Sequence, residues 1–229
     1  MSKLKEDFYL NFIKDDRYKY LLSGLGNTLL ITVVAVVVGI LLGFILAYIR
    51  TTHDKTGKMK TLNIIAHLYI TVIRGTPMVL QLLIVYFVIF ASVNIPKIIV
   101  AFIAFGMNSA AYVAEIIRAG IMSIDKGQFE AGSSLGFSYT QTMLLFILPQ
   151  ALKNVLPALG NEMIVLLKET SVAGYIAMDD LTRGADIIRS QTYSAFMPLL
   201  MAAAIYLFFV LIFDRLVKKL ERNLATSDH

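Results

Sequence analysis

The sequence predicts an all-α integral membrane protein with about five transmembrane helices. Two observations carry that reading. Hydrophobic residues make up 57% of the chain and mean hydropathy is +0.70, whereas soluble domains are about 45–50% apolar. Leu25 to Ile49 also runs without a single charge, enough for roughly 37 Å of helix at about 1.5 Å per residue.

Charge and cysteine usage narrow the class further. The net charge of +5 comes from 21 Lys+Arg against 16 Asp+Glu, and there is no cysteine. Disulfides and thiolate metal sites are therefore excluded. The basic residues sit beside hydrophobic spans rather than in one stripe, which fits loop topology and not nucleic acid. The first 22 residues lack the short apolar core and small-residue cleavage site of a signal peptide.

Residues 1–22 mix five Lys/Arg with four Asp/Glu among aromatics and read as an interfacial amphipathic segment. The transmembrane domain is expected over 23–220, with a C-terminal tail over 221–229. The first span covers about 23–49 and contains Gly39-Ile-Leu-Leu-Gly43, a small-xxx-small pattern that lets helices approach. A basic loop with Arg50, Lys55, Lys58 and Lys60 follows.

Thr61 to Ile73 is again charge-free, but Arg74-Gly75-Thr76-Pro77 interrupts the run before Met78 to Ser92. Pro77 must break or kink the helix. Either 61–73 lies in the interface and the span begins near Thr76, or one long kinked helix runs through. The third span is roughly 98–121; near its end Glu115 and Arg118, three apart, share a face and can pair. The fourth covers about 141–172 and contains Pro149 and Pro157. A polar loop with Asp179, Asp180, Arg183, Asp186 and Arg189 leads to the fifth span, 193–213.

Five spans place the termini on opposite sides. A cytoplasmic first loop and a cytoplasmic C-terminus agree with each other, which puts the N-terminus outside; the basic residues of 1–22 argue the other way.

On the cytoplasmic side, by this topology, lies EAGSSLGFSYTQTMLLFILP, residues 130–149. Gly132, Ser133, Ser134 and Gly136 leave little side-chain bulk, so another protein surface can press against the backbone. Glu130 suits the first turn of a short helix. Leu135 and Phe137 add apolar contact. The segment over about 125–139 reads as a short docking helix on the membrane surface.

The spacing Glu130-Ala131-Gly132, Gly136, Phe146-Ile147-Leu148-Pro149 resembles the signature loop of binding-protein-dependent ABC importer permeases. It departs mildly from the usual pattern at Gly132 and Phe146. RGTPMVLQLLIVYF at 74–87, NSAAYVAEIIRAGI at 108–121 and LPALGNEMIVLLKETSV at 156–172 are similar to segments of the polar amino-acid branch. The resemblance covers about residues 20–220.

It implies a type I importer half in a bacterial cytoplasmic membrane, with a second permease subunit, an ATPase dimer below and an extracytoplasmic amino-acid-binding protein. Glu130, Ala131, Gly132, Ser134, Leu135 and Gly136 would form the coupling helix. ATP would be bound by the partner, and this chain has no phosphate-cradling G-x-x-x-x-G-K-[ST] loop; no cofactor of its own is expected.

Candidate substrate contacts come from polar groups within apolar segments. Ionisable side chains at membrane depth are costly unless paired or facing water. Asn161, Glu162, Lys168 and Glu169 stand in the fourth span, with Glu162 and Glu169 two turns apart on one face. Two carboxylates there could receive an ammonium group. The structural alternative has Glu162 pairing within the bundle and Glu169 at the interface beside Lys168. Thr76, Gln81, Thr170 and Ser171 could add polar contacts, or serve only as helix–helix hydrogen bonds; Asn27, Thr28 and, as an interfacial anchor, Arg74 fit structural roles better. His53, His67 and His229 are scattered and suggest no metal site. No nucleophile–base pair is visible.

An ion-coupled secondary transporter using the membrane carboxylates is the competing function, against which stand the few spans and the lack of a visible inverted repeat. A non-transporting membrane assembly protein is the third class.

Overall fold

The computed structural model describes residues 3–225. Among these, the elements are helical throughout. A short helix α1 (Lys3–Phe8) continues through irregular turns over Tyr9–Ile13 and Lys14–Asp16. It leads into α2 (Tyr18–Thr56), α3 (Lys60–Gly75) and α4 (Met78–Ile89). Then come α5 (Lys97–Met122), the short α6 (Lys126–Ser134) and the long α7 (Tyr139–Ile176). α8 (Leu181–Thr192) and α9 (Phe196–Ala225) complete the chain.

Among the described residues, α2, α5, α7 and α9 are long and apolar enough to cross a membrane; α3 and α4 reach that apolar length only as a pair, bent by 112° at their break, which gives four spans, or five with the pair counted as one. Both sides of the break expected at Arg74–Pro77 are therefore helical, but on different courses. α3 lies across α2 and α5, where Ile70 packs with Ala111 and Ala114. α4 runs along α5, burying Leu82 and Val85 with Ala101, Ala104 and Phe105.

The bundle closes on small residues. Gly39 of α2 meets Ser109 of α5 so closely that an added Cβ would collide with the serine side chain, and Gly43 stands likewise against Val113. This is the close approach that small-xxx-small spacing permits. α7 is not uniform: it widens into a π turn over Met143–Ile147 and tightens to 3-10 geometry over Thr170–Ile176.

Two expectations change. The polar loop after the fourth span is in part a helix, α8. Leu181, Gly184, Ala185 and Ile188 are buried along it, at the i, i+3, i+4, i+7 spacing of an amphipathic face. The fifth span begins later and runs further than 193–213. Tyr193 takes φ 53° as the left-handed cap of α8, which bars it from α9. Beyond Phe213 the helix continues to Ala225, supported by the Lys218–Asp214 pair at 2.8 Å.

The ends of the molecule are distinct. One end collects the loop between α2 and α3, the start of α7, and the segment leading to α6 beside the end of α9. The other end collects the N-terminal segment and α8. There Asn11 and Phe12 are buried, the Thr192 hydroxyl donates to Asn11 Oδ1 at 2.9 Å and Arg17 donates to Gln191 at 3.2 Å. Thus α2 starts at Tyr18, inside the stretch expected to be interfacial. The last residues of the expected tail, with His229, lie outside the described residues.

Candidate functional site

α7 carries the acidic candidates. Asn161, Val165 and Lys168 are exposed along one stripe, while Ile164, Leu166 and Leu167 are buried behind it. Glu162 and Glu169 flank that stripe, both half-buried. Among the described residues neither carboxylate has a hydrogen-bond or ion-pair partner. Seven residues of helix separate them by roughly 10 Å along the axis. A face with Asn, Lys and two carboxylates that make no close pair is incompatible with lipid contact, because the charges would lose their hydration with little compensation. It calls for water, a ligand or another subunit. Thr170 is buried and donates to the Leu167 carbonyl at 2.8 Å, whereas Ser171 is half-buried beside it.

Thr76 and Gln81 lie at the α3–α4 break. Pro77 cannot donate a backbone hydrogen bond, so carbonyls at the end of α3 lose their partners. Gln81 replaces them. Its amide donates to the carbonyls of Ile73 at 2.7 Å and Thr76 at 3.0 Å, and to the Thr76 hydroxyl at 2.9 Å. Its own oxygen accepts from Asn108 of α5 at 3.0 Å. The break is thereby stitched to α5. The apolar cluster of Leu82, Val85, Leu166, Ala173 and Ile176 lies between α4 and the end of α7.

The docking candidates sit on α6 and its exit. Asp125 caps the helix, accepting from the Gly127 N–H at 2.6 Å. The C-terminus closes with the backbone N–H of Phe137 donating to the Gly132 carbonyl and that of Gly136 to the Ser133 carbonyl, both at 3.0 Å. This paired closure needs a left-handed residue after the cap, which Gly136 supplies at φ +82°. Glu130, Ala131, Ser134, Leu135 and Gly136 face outward, with Leu135 75% exposed. Gly132 faces inward instead, where a Cβ would strike the Thr142 side chain. Ser138 and Gln141 then form a reciprocal capping box that starts α7.

With that geometry in hand, known proteins give the context. The sequence profile described as "Binding-protein-dependent transport system inner membrane component" matches residues 39–226. The arginine transport system permease protein ArtQ of Bacillus subtilis (strain 168) is 42% identical over 211 residues, covering 91% of this chain and 94% of that one. The chain belongs to the binding-protein-dependent inner membrane component family. Its solved relatives include a chain from the "Crystal structure of an amino acid ABC transporter with histidines". That chain is 44% identical, with a TM-score of 0.85 over 93% of this chain and 98% of its own length. A chain of the MetNI methionine ABC transporter, in an inward-facing conformation, shares the fold: TM-score 0.74 at 17% identity, over 90% of this chain and 97% of that one.

Two polar clusters of this permease-family chain were not assembled by sequence reasoning. At the α8 end, Asp180 is fully buried. Its carboxylate accepts from the N–H groups of Thr182 at 2.9 Å and Arg183 at 3.1 Å, and from the Tyr206 hydroxyl at 3.4 Å. Burial pushes this carboxyl above its usual range, and the Thr182 and Arg183 donors oppose the shift. Beside it Thr28 accepts from the Leu181 N–H at 3.1 Å, and Asn27 donates to the Asp179 carbonyl at 2.7 Å. The signal was an aspartate directly before an amphipathic pattern, a helix start.

The second cluster extends the expected Glu115–Arg118 pair. Arg118 Nη2 and Glu115 Oε2 are 3.1 Å apart, and Arg74 Nη1 reaches the same oxygen at 3.7 Å while its guanidinium lies over the Tyr112 ring, 5.4 Å from the centroid. Arg74 thus serves as a bridge between α3 and α5.

Proposed function

We propose that this chain is the membrane-spanning permease subunit of an ATP-driven amino-acid importer. The observation that carries the reading is the open face of α7, where Glu162 and Glu169 stand half-buried and unpartnered beside Asn161. Carboxylates so placed attract an α-ammonium or a cationic side chain. The relative named for arginine transport supports an amino acid as cargo.

A second permease subunit, a further copy or a homologue, closes that face into a pathway. Asn161, Thr170 and Ser171 border it; Thr76 and Gln81, occupied at the α3–α4 break, shape its wall. α6 docks on a separate ATPase through Glu130, Ala131, Ser134 and Leu135, while Gly132 and Gly136 fix the helix's seat and exit. ATP chemistry falls to that ATPase, and this chain needs no cofactor. An extracytoplasmic binding protein delivers the amino acid at the α8 end.

Shared ends support the orientation. The basic loop after α2 and the C-terminal part of α9 lie at the α6 end, so basic residues gather where the ATPase would dock. The N-terminus is then outside and the C-terminus cytoplasmic, in a bacterial cytoplasmic membrane bathed by lipid. Mechanistically, ATP-driven closure of the ATPase pulls α6, and through α5 and α7 turns the carboxylate face outward. Hydrolysis restores the inward-facing state.

The test is uptake into proteoliposomes holding the chain with its ATPase, permease partner and binding protein. Labelled amino acid is expected to enter only with internal ATP, to ignore an uncoupler, and to fall at least tenfold in Glu162→Gln, about 1.4 kcal/mol of lost stabilisation. Uptake that follows an ion gradient without ATP would overturn the proposal in favour of secondary transport.

A further inference from the structure

Arg50, Arg74, Arg118 and Glu115 surround a cavity of about 430 Å³ between α2, α3 and α5, with Thr71 and Tyr112 also on its wall. Three guanidiniums and one carboxylate line the wall, and Asp54 acts on Arg118 from outside it, so positive charge is in excess. Glu115 already serves Arg74 and Arg118. Arg50 makes no such close pair: Glu115 acts on it only at longer range, and its Nε is buried and makes no hydrogen bond. The cavity opens at the membrane edge of the α6 end, since Arg50 closes the apolar run of α2 and Arg118 stands one turn before the end of α5.

Uncompensated guanidiniums at that depth are expensive, and their planar forks match tetrahedral oxyanions. We infer that this cavity is an anion site for a phosphate group, taken either from the headgroup of an anionic lipid in the adjoining leaflet or from a soluble phosphate. Basic cavities between membrane helices on this side suit lipid headgroups. In the site the phosphate bridges Arg50 to Arg74, and Thr71 adds a hydroxyl-bearing residue to the same wall. Filling it would lock the crosswise helix α3 against α2 and α5, so the anion acts as a staple for the broken span. The inference requires neither an ATPase nor a transported amino acid.

The experiment uses the full chain in neutral detergent, titrated with dioleoyl phosphatidylglycerol, dioleoyl phosphatidylcholine and inorganic phosphate. Retained lipid is counted by native mass spectrometry and the melting midpoint is followed in parallel. Phosphatidylglycerol is expected to be retained and to raise the midpoint, while phosphatidylcholine does neither. Displacement of phosphatidylglycerol by millimolar phosphate would show that the soluble anion is accepted too; failure to displace it assigns the site to lipid. Arg50→Gln should weaken phosphatidylglycerol binding about fivefold, the change that about 1 kcal/mol per basic side chain gives.

Glu115→Gln carries the opposite sign. Removing the competing carboxylate should tighten binding, whereas a merely structural cluster would only loosen. The inference is overturned if phosphatidylglycerol and phosphate behave like phosphatidylcholine, or if folded Arg50→Gln binds as the wild type does.

Discussion

The two ends of the bundle are built on opposite plans. At the α8 end, backbones touch. Gly24 of α2 leaves no room for a Cβ beside the Asp180 carbonyl, and Gly184 of α8 leaves none beside the Tyr20 carbonyl. A fully buried aspartate is tied there to α8 and α9. At the α6 end the short helix stands off the bundle, held by Gly132 against Thr142 and by side chains such as Phe129, which stacks on Tyr139 with 5.9 Å between centroids. Lys55 of α2 reaches over the same ring at 4.6 Å. One end is a clamp and the other a handle: substitutions in the clamp should cost folding, those in the handle should cost coupling.

The largest effect is expected at Gly184. Gly184→Leu forces a side chain into the Tyr20 backbone, which cannot yield as a flexible side chain would, and overpacking of this kind costs about 3 kcal/mol. The melting midpoint and the folded yield in detergent should both fall steeply. Wild-type yield would dissolve the clamp.

Asp180 comes next. Asp180→Ala removes the cap of α8 and a partner of Tyr206, costing about 2 kcal/mol, read as a lower melting midpoint. Asp180→Asn keeps an acceptor and sheds the charge that burial disfavours, so it should remain near wild type. Equal losses in both variants would show that the charge itself is needed.

In the handle, Gly136→Val puts a β-branched residue at φ +82°, a local strain of about 1–2 kcal/mol. The global melting midpoint should barely move, because α6 is peripheral, while transport per ATP hydrolysed should drop. Full transport with normal stoichiometry would contradict the handle assignment. The smallest effect belongs to Lys55→Ala, which removes a cation–π contact worth about 0.5–1 kcal/mol; a slight gain in proteolytic access at Lys126 would report the loosened helix.

The clamp and the handle also differ in how legible they were. The handle lies in a local pattern: small residues, a glycine and a following proline within one short stretch, enough to foresee a surface helix. Its glycines nonetheless do more than leave bulk out, since Gly132 makes the inner contact and Gly136 the left-handed turn. The clamp is long-range. Nothing near Thr28 announces Leu181, and the polar residues of α8 masked its buried Leu181, Ala185 and Ile188 stripe. Pro77 correctly marked a break, yet the partner that satisfies the freed carbonyls, Gln81, belongs to the next helix and is itself held from α5. The carboxylates of α7 were conspicuous from the start because charge in an apolar run is a local signal. Their open face becomes visible only once the buried side of α7 is known.

The most direct measurement is a cross-link. The chain has no cysteine, so Ser134→Cys gives a single thiol on the exposed side of α6. Co-expressed with the proposed ATPase carrying single cysteines around its docking groove, it is predicted to cross-link from the cytoplasmic side, with an efficiency that changes when ATP is added. A thiol that reacts only from outside, or never meets the ATPase, would contradict the account.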